Sequence, residues 1–69
     1  MKMIKGIEKL TPSQIQFMEY LHNMQKGCFS SEYQKGMEII KVKFDTNGIL
    51  CVYFKNGDWY HYLENGTWY

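Results

Sequence analysis

Ile40-Lys41-Val42-Lys43-Phe44-Asp45-Thr46-Asn47-Gly48-Ile49-Leu50-Cys51-Val52-Tyr53-Phe54-Lys55-Asn56-Gly57-Asp58-Trp59-Tyr60-His61-Tyr62-Leu63-Glu64-Asn65-Gly66-Thr67-Trp68-Tyr69 is the stretch that decides the fold. Asn-Gly occurs in it at 47–48, 56–57 and 65–66, nine residues apart each time. Apolar and polar residues alternate between these steps, and Asn-Gly flanked by such alternation is the strongest short-range hairpin signal. The spacing predicts strands over about 38–45, 49–55, 58–63 and 67–69, joined as an antiparallel meander.

Loop length decides which way each side chain faces. Two-residue Asn-Gly loops would pair Phe44 with Cys51, and Val52 with both Lys43 and His61, mixing core and polar residues on each face. Three-residue loops ending in a left-handed glycine pair 45 with 49, 54 with 58 and 63 with 67. Ile40, Val42, Phe44, Leu50, Val52, Phe54, Tyr60, Tyr62 and Trp68 then share one face, with Lys41 and Lys43 on the other. A one-residue slip would invert every position, so the three-residue loop is the expected register.

Upstream, Thr11-Pro12-Ser13-Gln14 reads as a helix start: a hydroxyl N-cap, proline at the first helical position and glutamine at N3. Leu10 and Ile15 stand where a hydrophobic staple would. Phe17, Tyr20, Leu21 and Met24 fall within about 100° of arc, a core-facing stripe, with Glu19, His22 and Lys26 opposite. Gly27 is the expected C′ stop, giving a helix over 12–26. Residues 27–36 read as a connector in which Ser30 or Ser31 caps one further turn. The first ten residues are open between a strand and a lead-in. The expected fold is α+β: one N-terminal helix packed on a four-stranded antiparallel meander, in a single small domain over 1–69.

Composition limits the function. At 69 residues the chain has no room for a cofactor domain plus a substrate domain. A net charge of +1 sets up no strong field toward nucleic acid or anionic membrane. Lysine occurs throughout while arginine and alanine are absent, which suits an AT-rich genome such as that of a low-GC bacterium or its phage. Without arginine there is no guanidinium fork for bidentate phosphate or guanine recognition. The N-terminal residues lack the apolar core of a signal peptide, and no apolar run approaches a membrane span. Cytoplasmic localisation with reduced cysteines is expected.

The outward face carries the candidate site. It reads Lys43–Cys51–His61–Tyr69 in one row and Lys41–Tyr53–Trp59 in the next, with Ile49 and Leu63 beside them. The solvated face of an antiparallel sheet is ordinarily polar, so this one is either covered, by the first ten residues or a second copy of the chain, or is a binding surface. Trp and Tyr dominate interface energetics, and Tyr53, Trp59, His61, Tyr69, Lys41 and Lys43 are the candidate partner-binding residues. The same rings and lysines could stack single-stranded bases, a second reading that the balanced charge opposes. Cys51 across from His61 has the elements of a thiolate site, but no carboxylate in these rows orients the histidine and no oxyanion site is visible. His22, Cys28, Cys51 and His61 are the right residue types for zinc but lack any CxxC or HxxxH spacing. Phosphate loops, paired carboxylates and triads are absent. A non-enzymatic protein-binding module is expected, an inhibitor or adaptor carried by a phage or other mobile element. It needs no cofactor or metal, and homodimerisation through the edge strand or the outer face is an added outcome.

The residues from Ile40 to Tyr62 resemble the KTSC domain, through Phe44-Asp45, then Leu50, Val52 and Phe54, then Asn56-Gly57, then Tyr60 and Tyr62. The resemblance covers about a third of the chain. It implies the meander and transfers no activity, because the family has no settled one. Where that family continues with a Val-Pro step and a helix, this chain has a third Asn-Gly. Asn56-Gly57-Asp58-Trp59-Tyr60 and Asn65-Gly66-Thr67-Trp68-Tyr69 also resemble choline-type cell-wall-binding repeats. Those repeats are near twenty residues long and stack, unlike this nine-residue period.

Overall fold

Each Asn-Gly step closes a loop of the same kind. In the computed structural model, which describes residues 4–69, Gly48, Gly57 and Gly66 take φ of 77°, 95° and 89°. That is the left-handed region, where a Cβ costs about 1–2 kcal/mol. The loops are shut by Asp45 N–H to Ile49 O, Phe54 N–H to Asp58 O and Leu63 N–H to Thr67 O, at 2.9, 2.8 and 2.9 Å. A side chain locks each one: Asp45 Oδ1 accepts from the Asn47 N–H, Asn56 Oδ1 from Asp58, and Asn65 Oδ1 from Thr67. The three turns share one backbone closure, with the lock supplied by the strand-end Asp45 in the first and by the loop residues Asn56 and Asn65 in the other two.

These turns join β1 (Ile39–Phe44), β2 (Leu50–Phe54) and β3 (Trp59–Tyr62) into an antiparallel sheet of order β1-β2-β3. Phe44 pairs with Leu50, Lys43 with Cys51, Val42 with Val52 and Lys41 with Tyr53. Across the next pair, Leu50 meets Tyr62, Cys51 meets His61, Val52 meets Tyr60 and Tyr53 meets Trp59. This is the three-residue-loop register. Three details differ from the expectation. The sheet has three strands rather than four: 67–69 contributes the Tyr62–Trp68 bridge and a reciprocal pair of hydrogen bonds between His61 and Tyr69, too short a ladder to count as a strand. A bulge between Ile39 and Lys41 turns Ile39 into the core and leaves Ile40 43 % exposed. Phe44, at the far end of β1, is also exposed rather than internal.

The helix α1 spans Pro12–Lys26 as the capping box requires. Thr11 Oγ1 accepts from the Gln14 N–H, and Gln14 Oε1 accepts from the Thr11 N–H. Gly27 ends it in a right-handed conformation, φ −64°, so the left-handed stop expected there is not used. The last carbonyls are met otherwise: Gln34 Nε2 donates to Lys26 O and Phe29 O. Gln34 closes α2 (Ser31–Gln34), a single turn capped by Ser30.

The buried stripe of α1 is Met18, Leu21 and Gln25, rotated from the expected one. Tyr20 and Met24 are exposed, while His22 faces inward, its ring 5.6 Å from Phe54. What turns the helix is polar: His22 Nε2 donates to Met37 O at 2.8 Å, and Gln25 Oε1 accepts from the Tyr62 hydroxyl. Met18 and Leu21 share one apolar cluster with Leu10, Met37, Ile39, Val42, Leu50, Val52, Phe54 and Tyr62.

The lead-in runs beside the sheet. Lys5 forms a parallel bridge to Lys41, donating to Ile40 O and accepting from the Val42 N–H at 3.0 and 2.8 Å. Gly6, φ 88°, lets the chain turn there, since a Cβ would stand 2.2 Å from Val42 O. Ile4 and Ile7 pack toward the core. On the open alternative that residues 1–10 cover the outer face, residues 1–3 lie outside the described residues. Residues 4–10 guard the β1 edge instead.

Candidate functional site

Beyond the bulge at Ile39, the odd-numbered residues of the three strands lie on the sheet face opposite the core cluster. On this face the rings form a continuous ladder. Tyr53 and Trp59 stack with centroids 5.5 Å apart and planes 16° apart. Trp59 tilts onto His61 at 4.9 Å, and His61 stacks on Tyr69 at 4.3 Å and 11°. Register explains the first contact, because Tyr53 and Trp59 are cross-strand partners. The last follows from the hydrogen bonds between His61 and Tyr69. Lys41 Nζ and Lys43 Nζ sit 5.2 and 5.8 Å from the Tyr53 ring centre, within cation–π reach. The six expected partner-binding residues therefore stand together, with Trp59 48 % and Tyr69 61 % exposed.

The rings lie against one another. A platform for stacking bases must offer open ring faces. Here Tyr69 takes one face of His61, Trp59 lies along Tyr53, and the lysine ammoniums sit over Tyr53.

Beneath the ladder is a group of donors that the sequence reading left incomplete. Asp45 Oδ2 stands 3.9 Å from His61 Nε2, so a carboxylate does reach the histidine. One donor atom each from Asp45, Cys51 and His61 lies within 4.8 Å of the other two. The signal was present in the register, since residue 45 shares the outward face with 43 and stands one row from Cys51 and His61. The Ile49 N–H, helped by the Asn47 N–H and opposed by desolvation, holds the Asp45 carboxyl below its usual range. Burial pushes the Cys51 thiol up, with the Asp45 charge adding to it and Lys43 opposing. At 1 % exposure this thiol is poorly placed for nucleophilic attack.

The four-residue zinc set does not assemble. His22 bonds Met37 O on the helix side of the molecule, and Cys28 is exposed after α1. Only Cys51 and His61 of that set belong to the donor group.

No family model, curated protein or solved structure matches the chain. The likeness of residues 40–62 to the KTSC domain stands on its residues alone. No helix among the described residues is long and apolar enough to cross a membrane.

Proposed function

We propose that this chain is a small non-enzymatic protein-binding module, an inhibitor or adaptor that occludes or bridges a partner through the outer face of its sheet. The observation that carries this reading is the exposure of Trp59 and Tyr69 within a ladder of mutually stacked rings. Such rings arrive at an interface pre-ordered, so less side-chain freedom is lost on binding. Lys41 and Lys43 beside the ladder suit an apolar patch rimmed by carboxylates. The burial of Cys51 argues against a thiol enzyme. In this reading residues 67–69 act as a rudimentary fourth strand, completing a four-stranded meander with α1 on its inner face. Its free edge offers a route to a homodimer. A cytoplasmic setting and carriage by a phage or other mobile element belong to the same proposal.

The test is capture from lysate by the tagged full chain, with and without nuclease, against Trp59→Ala. A protein that survives nuclease and is lost with Trp59→Ala supports the reading. Equal capture by a folded Trp59→Ala overturns it. The second reading, single-stranded nucleic acid, draws on the two lysines over Tyr53 and requires steeply salt-dependent quenching of tryptophan fluorescence by oligonucleotides.

A further inference from the structure

We propose that Asp45, Cys51 and His61 form a three-donor site for a borderline-soft divalent metal, zinc foremost. The proposal is independent of the docking reading. The three residues come from the end of β1 and from the facing centres of β2 and β3, so they converge only when the meander is in register. Their donor atoms lie within 4.8 Å of one another. Tetrahedral zinc with bonds of about 2.0–2.3 Å places its ligand atoms about 3.3–3.7 Å apart. The widest separation therefore closes by about 1 Å, within reach of side-chain rotation.

Two of the donors are already oriented. Asp45 Oδ1 accepts from the Asn47 and Ile49 N–H groups at 2.8 and 2.9 Å, which turns Oδ2 toward His61. The His61 ring is held between Trp59 and Tyr69. Fixing of ligands by neighbouring groups is what working metal sites show.

Sulfur, imidazole nitrogen and carboxylate oxygen in one set select zinc or cobalt(II) over magnesium or calcium, which take all-oxygen shells. On binding, the Cys51 thiol releases its proton to solvent, and the hexaaqua ion gives up five of its waters as three protein donors enter and the coordination number falls to four. Thiolate and carboxylate neutralise the dication, and the fourth position keeps a water. Lys43, across from Cys51, is the charge that opposes the metal. Bound metal cross-links three successive strands.

The experiment is a cobalt(II) titration of the full chain under reducing conditions, followed by displacement with zinc. One equivalent of cobalt is expected to bind, with an intense near-ultraviolet thiolate-to-cobalt band and the visible bands of a four-coordinate ion, and zinc is expected to erase both. The near-ultraviolet band should vanish in Cys51→Ser and persist in Cys28→Ser. Asp45→Asn and His61→Gln should each weaken binding by about tenfold or more, and Lys43→Gln should tighten it. Tyr53→Ala, a docking-face substitution with no ring contact to His61, should keep the site, so the two proposals can fail separately. Circular dichroism of each metal-free variant establishes that it is folded. A folded wild type with no thiolate band at millimolar cobalt overturns the proposal. So does a band that survives Cys51→Ser or follows Cys28, or unchanged affinity in a folded Asp45→Asn.

Discussion

The two faces of this sheet come from the same alternating residues and do opposite work. The inner face presents Val42, Leu50, Val52, Phe54 and Tyr62, all buried in the cluster that α1 shares. Met18 and Leu21 of the helix, Leu10 and Met37 belong to the same cluster. The outer face presents Lys41, Lys43, Tyr53, Trp59, His61 and Tyr69, which touch mainly one another. Burial on one face combines aliphatic and aromatic side chains and stabilises by removing area from water. Order on the other comes from ring stacking, which leaves apolar edges in solvent. In the proposed reading, stability and recognition are thereby separated across the thickness of one sheet.

Truncation should break the comparison most visibly. Phe54→Ala removes a fully buried ring and is expected to cost about 3–5 kcal/mol, a large share of the stability of so small a domain. Trp59→Ala, five residues along on the other face, is expected to cost about 1 kcal/mol or less. Urea unfolding followed by circular dichroism measures both. Equal losses would mean that the outer ladder is a second core.

Next in size is the polar link that sets the rotation of α1. Tyr62→Phe removes the hydroxyl that Gln25 Oε1 accepts, leaving a buried amide oxygen unpaired at a cost of about 1–3 kcal/mol. Gln25 Nε2 already lacks a partner among the described residues. Combining Tyr62→Phe with Gln25→Leu should therefore recover most of that loss, a non-additivity read from the double-mutant cycle.

Gly57→Ala acts on both faces at once. Its φ of 95° makes any Cβ strained, at about 1–2 kcal/mol, although nothing lies within 4 Å of the added methyl. A loss in thermal denaturation without a change in the near-ultraviolet spectrum is expected. A spectral change would show that this turn also sets the ladder.

The smallest effect separates the faces by pH. Desolvation, with the Lys26 charge, lowers the pKa of His22 from its ordinary 6.5, while the bond to Met37 O pulls the other way. Below pH 6.5 the unfolded chain binds a proton that the folded chain resists, so this group makes stability fall as the pH drops. His22→Gln should flatten that part of the urea-midpoint profile. An unchanged slope would place the dependence elsewhere.

The sheet was legible because the three Asn-Gly steps leave one loop length that sorts the residues cleanly, and 45 with 49 or 54 with 58 is a pairing that follows from it. The capping box at Thr11 fixed the helix start for the same local reason. Helix rotation was not legible. Phe17, Tyr20 and Met24 are a plausible apolar stripe, and nothing local reveals that Gln25 and His22 have partners in Tyr62 and Met37, which are far along the chain. Ile40 misled because the bulge beside it depends on the lead-in at Lys5 pairing with β1. The outer ring ladder could be read from register alone. Asp45 was missed because its turn role hid its place on the same face.

Tyr20 on α1 and Tyr69 on the outer face are equally exposed, at 61 %, so exposure alone does not distinguish them. The most direct measurement is the affinity of the captured partner for Trp59→Ala and for Tyr20→Ala, by calorimetry on folded protein. The expected result is a loss of at least about tenfold, near 1.4 kcal/mol, for Trp59→Ala and none for Tyr20→Ala. Undiminished affinity in Trp59→Ala, or a loss confined to Tyr20→Ala, would contradict the assignment of recognition to the outer face.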